Sequence, residues 1–110
     1  MSLNAMSRNI MIFSDDLEKA FKKLDQIASS LDEEILIRTK DYLKTTKRTI
    51  QARKFSDCRG YRYMDVYVDD SLPNYCEAMG WILMKLVPPN YNVNFEHEEN
   101  YDWRNHVFYF

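Results

Sequence analysis

Two segments of helical periodicity, set among short apolar and alternating runs, predict an α+β fold for this chain of 110 residues. Three observations carry that expectation. Leu17, Phe21, Leu24, Ala28 and Leu31 recur at helical spacing, which lines one face of an α-helix. Residues 60–69 alternate with a period of two instead, the pattern of a strand. Glycines number two and prolines three, so long flexible linkers have little to be built from.

The elements follow in order. The opening MSLNAM reads as a vector remnant ahead of a native start at Met6, which leaves 6–110 as a single domain of ordinary size. RNIMIF, residues 8–13, is a short apolar first strand. SDDLEKAFKKLDQIASSL is the first helix. Ser14 or Asp15 caps it, Asp15 and Glu18 stand at capping-box spacing, and Glu18–Lys22 is a favourable i,i+4 pair. Residues 32–46 admit two readings: ILI at 35–37 starts a strand, or Ser30 and Glu33 box another helix. TTKRTIQARKF favours a strand, and SDCRG a turn, so 47–55 and 60–69 are expected to form a hairpin. In the second of these, Tyr61, Tyr63, Asp65, Tyr67 and Asp69 share one face, while Met64, Val66 and Val68 turn to the core. SLPNYCEAMGWILMKLVPP is a second helix, capped by Ser71 and stopped at Pro88. NYNVNFEH and HVFYF close the chain as a strand pair. Strand–helix–strand–strand–helix–strand is the ferredoxin-like order, with an antiparallel sheet, two helices on one face and an added C-terminal strand.

The net charge of −2 conceals a segregation. Residues 1–37 carry −3, residues 38–62 carry +7, and residues 63–110 carry −6. Anions are therefore drawn to the middle third. There Lys47, Arg48, Arg53, Lys54 and Arg59 are candidate phosphate contacts, and Tyr61 and Tyr63 are candidate stacking platforms. Cations interleaved with aromatics are what single-stranded RNA or DNA requires. The rival reading is that these cations pair with the chain's own acidic flanks.

RGYRYMDV, beginning at Arg59, resembles the octapeptide signature of RNA-recognition-motif domains. Arg59, Gly60, Tyr61, Tyr63 and, loosely, Met64 match it, whereas Arg62 stands where that family has a small residue and Val66 where it has an aromatic. The companion signature on the first strand meets Met11 in place of an aromatic. The resemblance implies base stacking by Tyr61 and Tyr63 and a phosphate contact from Arg59.

Trp81 and Met84 form a second candidate surface. On a helical wheel they lie away from Tyr75, Met79, Ile82, Leu83 and Leu86, which suits docking of a protein partner by an adaptor or inhibitor. Other classes lose support. Asp65 and Asp69 share a strand face but stand roughly 13 Å apart along it, too far for one metal. His97 and His106 lack a Cys-x-x-Cys companion, Cys58 and Cys76 lack zinc spacing, and no Gly-rich phosphate loop is present. A non-catalytic binding or regulatory protein without cofactor or metal is expected, of a kind that suits a phage or mobile-element accessory role. Two cysteines make no secreted disulfide framework, no signal peptide is visible, and no apolar run reaches membrane-spanning length. The expected setting is the cytoplasm.

Overall fold

The computed structural model describes residues 8–72, 77–87 and 102–110. The apolar run at the start forms strand β1 (Arg8–Phe13). Helix α1 (Leu17–Ser30) follows, capped by Asp16 rather than by Ser14 or Asp15. The Asp16 carboxylate accepts the Lys19 amide at 3.2 Å, a group that no helical carbonyl can reach. The two readings of 32–46 resolve to strands, β2 (Ile35–Arg38) and β3 (Tyr42–Thr45). After them come β4 (Arg48–Arg53) and, in place of a simple turn, a 3-10 helix over Phe55–Gly60. Strand β5 (Asp65–Val68), helix α2 (Glu77–Met84), a 3-10 helix over Trp103–His106 and β6 (Val107–Tyr109) complete the order.

The chain is α+β, with one six-stranded mixed sheet in the order β2-β3-β4-β1-β5-β6. β1 runs parallel to both β4 and β5, and β5 runs parallel to β6. Only the pairs β2–β3 and β3–β4 are antiparallel. The ferredoxin-like, all-antiparallel expectation is thereby corrected, and β1 supplies the reason. Ile10 and Ile12 pack towards α1, while Met11 and Phe13 pack towards α2, and all four are buried. A strand apolar on both sides needs a cover on both sides. The helices accordingly lie on opposite faces, not on one. The expected hairpin of 47–55 with 60–69 is absent for the same reason: β4 and β5 are separated by β1, which each of them flanks.

The expected tyrosine face is also broken. Residues 61–64 precede β5 and are not part of its ladder. Tyr63 joins Val66 and Val68 on the α2 side, while Tyr67 packs on the α1 side. In α2, Met79 and Ile82 are buried as the wheel expects. The strand expected at 91–97, with His97, lies outside the described residues, as do Tyr75, Cys76 and the opening MSLNAM. Among the described residues no helix is long and apolar enough to cross a membrane.

Candidate nucleic-acid interface

Four of the candidate cations sit on or beside β4, and strand geometry divides them. At about 3.3 Å per residue, Arg48 stands roughly 17 Å from Arg53 and Lys47 roughly 23 Å from Lys54. The +7 segment is thus not one surface; it feeds both ends of the sheet.

At the carboxyl end of β4, four candidates gather. Arg53 Nε donates to the Tyr61 hydroxyl at 3.0 Å, and its Nη1 donates to Asp41 Oδ2 at 2.6 Å. The Tyr61 hydroxyl holds Arg53 more firmly protonated than a free guanidinium; burial opposes this and Asp41 adds to it. The Arg53 guanidinium in turn draws the Asp41 carboxyl below its usual range, against burial and with help from Thr39. Arg53 is therefore a charge fixed in place by two partners. An open cleft of about 540 Å³ lies against it, lined by Arg53, Ser56, Asp57, Gly60 and Tyr61. A smaller cleft of about 240 Å³ on its other flank is lined in part by Lys54, Asp57 and Phe21. Lys54 is exposed and makes no ion pair among the described residues. From the 3-10 helix, Arg59 lays its guanidinium over the Trp81 ring, 4.3 Å from the centroid.

That contact joins two surfaces that stand far apart along the chain. Trp81 is half-buried against the α2-side core and carries Arg59 on its face, a cation–π arrangement. Met84, one turn on, is 69% exposed.

Tyr63 requires correction as a stacking platform, because its side chain is completely buried. Its ring meets Phe13 edge-on at 5.8 Å, and its hydroxyl donates to the Ile82 carbonyl at 2.7 Å. Cys58, in the segment SDCRG expected to be a turn, is likewise buried, against α2.

The amino end of the strands holds the rest. Arg48 is paired with Glu33, whose carboxyl is drawn below its usual range by the Thr45 hydroxyl and, against burial, by Arg48 and Lys47. Beside it lies a cleft of about 340 Å³ whose lining includes Arg8, Arg48, Asp65, His106 and the stacked rings of Tyr67 and Phe108. Asp65 accepts Arg8 at 3.1 Å and sits 2.9 Å from His106 Nδ1. No local pattern announces this grouping, because Arg8, Asp65 and His106 come from three distant segments.

At the carboxyl ends of β1 and β5 lies a second polar network that sequence reasoning missed. Ser14 donates to Asp69 at 2.6 Å, and Lys19 donates to the other Asp69 oxygen at 2.7 Å. Burial alone raises the Asp69 carboxyl, but hydrogen bonds from Lys19, Ser14 and the Ser71 amide outweigh it and hold the group well below the usual carboxylate range. The signal was present: FSDD and VDD each put small polar residues directly after an apolar run. Asp65 and Asp69 stand at opposite ends of β5, and among the described residues no group of three or more His, Cys, Asp or Glu side chains is placed to hold a metal.

No protein-family model matches the chain, and neither the curated proteins nor the solved structures yield a match.

Proposed function

We propose that this chain is a non-catalytic binding protein for single-stranded nucleic acid, and that its contact surface is the carboxyl end of β4. One observation carries the reading: Arg53 and Tyr61 are bonded together in the wall of an open cleft there, with Lys54 in the wall of the neighbouring cleft and Arg59 over Trp81 next to Gly60 of the lining. Arg53 is pre-organised, Lys54 and Arg59 are exposed cations beside it, and Tyr61 offers a partly accessible ring. Fixed charges with an aromatic wall suit a phosphate backbone and its splayed bases. In this reading Lys47 and Arg48, at the far end of the strand, lie outside the footprint, and Tyr63 supports it from the core. A cytoplasmic setting belongs to the same proposal and rests on the sparse cysteines. The alternative, protein docking through Trp81 and Met84, is favoured by the exposure of Met84.

Fluorescence anisotropy with labelled poly-U and mixed-sequence single-stranded DNA tests the proposal. Three phosphate contacts predict a log–log salt slope near −2, a roughly twentyfold affinity loss between about 50 and 200 mM salt. Lys54→Glu and Arg59→Glu are each expected to weaken binding several-fold, and Lys47→Glu to leave it unchanged. Absence of binding at low salt would retire the reading. Equal sensitivity to Lys47→Glu would move the surface off the carboxyl end. Binding of a protein partner that Met84→Lys alone abolishes would favour the alternative.

A further inference from the structure

At the amino ends of the strands, Arg8 and Arg48 stand opposite one another on the parallel neighbours β1 and β4. Ile10 and Ile50, two residues on, both pack towards α1, and side chains two apart share a face. Both arginines therefore rise from the α1 face, and both line the cleft of about 340 Å³ there. Like charges opposite one another on neighbouring strands disfavour each other. Two carboxylates offset this from outside the pair: Arg8 directs Nε and Nη2 to Asp65, and Arg48 directs Nε and Nη2 to Glu33. Neither Nη1 has a partner among the described residues. Guanidinium groups fixed along one edge, with donors left over, suit an anion with several oxygens. Asp65 has no oxygen to spare, since Oδ2 meets Arg8 and Oδ1 meets His106. The rest of the lining is aromatic. Tyr67 lies two residues beyond Asp65 on the same face, roughly 7 Å away. Phe108 stacks on it with ring centroids 4.9 Å apart and remains 40% exposed. From α1, the Lys23 ammonium stands 5.4 Å from the Tyr67 ring centroid.

We propose that this cleft binds a nucleoside monophosphate, with the phosphate bonded by Arg8 and Arg48 and the base laid on Phe108. The order of groups along the cleft fits one such molecule. Asp65 draws the head of Arg8 over to β5, and the exposed Phe108 ring stands one strand further out, on β6. The volume lies at the lower end of the roughly 300–1,000 Å³ of small-molecule sites. Arg8, Arg48 and Lys23 outnumber Asp65 and Glu33 around it, so the balance favours an anion. A phosphate shared by the two arginines relieves their mutual repulsion. Stacking on a single ring accepts any base. The site is separate from the surface at the carboxyl end of β4, because the length of that strand lies between them.

Titration of the full chain, followed by amide NMR shifts, tests the site with adenosine monophosphate, adenosine and inorganic phosphate. The monophosphate is expected to bind with a dissociation constant below about 1 mM, and adenosine and phosphate at least about tenfold more weakly, since each meets only half of the lining. Arg8→Gln and Arg48→Gln are each expected to weaken the monophosphate about tenfold, and Phe108→Ala to weaken it about tenfold by removing the stack. Lys54→Glu is expected to change nothing here, which keeps the fate of this site apart from that of the carboxyl-end surface. A 5′-phosphorylated trinucleotide carries the same phosphate and base at a strand end. Binding of it that Arg8→Gln and Phe108→Ala both weaken supports the site and assigns it to strand ends as well. No binding of the monophosphate at about 10 mM overturns the proposal. So does binding that survives both glutamine variants, or survives Phe108→Ala, or is lost with Lys54→Glu. Circular dichroism confirms that each variant is folded. If a glutamine variant is not, Arg8→Lys keeps a cation beside Asp65 and loses the guanidinium fork: weakened binding of the monophosphate supports the proposal, and unchanged binding overturns it.

Discussion

Replacing Tyr63 by alanine is expected to destabilise the fold by about 3–5 kcal/mol, the usual cost of removing a fully buried aromatic ring. Tyr63 is the peg between the sheet and the end of α2. Its ring packs on Phe13, its amide donates to the Lys85 carbonyl at 3.2 Å, and its own carbonyl accepts the Val87 amide at 2.9 Å. Its hydroxyl donates to the Ile82 carbonyl, in the last turn of the helix, where that carbonyl also accepts the Lys85 amide at 3.3 Å. Tyr63→Phe keeps the packing and loses only that bond, at about 1 kcal/mol. Urea denaturation followed by circular dichroism separates the two variants. A cost of a few tenths for Tyr63→Ala would place the ring at the surface and reopen its stacking role. Alkaline titration gives an independent reading. Burial, with the nearby Cys58, pushes the phenol above its ordinary value near 10. The unfolded chain therefore releases this proton first. Stability supplied by the protonated ring is complete below about pH 10 and lost as pH rises beyond it. Tyr63→Phe is expected to flatten that alkaline limb.

Asp69→Ala is expected to cost about 2–4 kcal/mol, since it strands Lys19, the Ser14 hydroxyl and the Ser71 amide together. The carboxylate ties β1, α1 and the chain after β5 to one point. Its folded-state proton affinity lies below that of the unfolded chain. The stabilisation is therefore fully present above the ordinary carboxylate value near 4 and disappears as pH falls below it. Asp69→Asn removes the charge with little change of shape. It is expected to lower the urea midpoint at pH 7 and to make the acid limb shallower between about pH 4 and 2. An acid limb unchanged from wild type would show that another carboxylate governs acid unfolding.

These two residues also mark where sequence reading succeeds and where it stops. Helix α1 was legible because its signals are local: apolar residues at helical spacing and acids in the first turn. β1 was legible as a strand, and its lack of alternation already implied two covered faces, although the ferredoxin-like order passed over that sign. Strand partners were not legible. Whether β4 and β5 form a hairpin or flank a third strand depends on β1, which lies far away in the chain and competes for both edges. Tyr63 was misplaced because a period of two was carried back through residues 61–64, which do not belong to the ladder. The basic stretch was misjudged as one surface for a simpler reason: an extended strand separates its ends by the width of the sheet.

What the sequence by itself determined about this protein is its first strand, its two helices and its charge segregation. All of these are properties of neighbours along the chain, where spacing and side-chain chemistry suffice. Only the tertiary structure decided that Arg53, Lys54, Arg59 and Tyr61 share one end of the sheet while Arg48 serves the other. It alone placed Tyr63 in the core and joined Ser14, Lys19 and Asp69. Those groupings follow from the parallel placement of β4 and β5 on either side of β1, and that choice is made by burying both faces of one apolar strand.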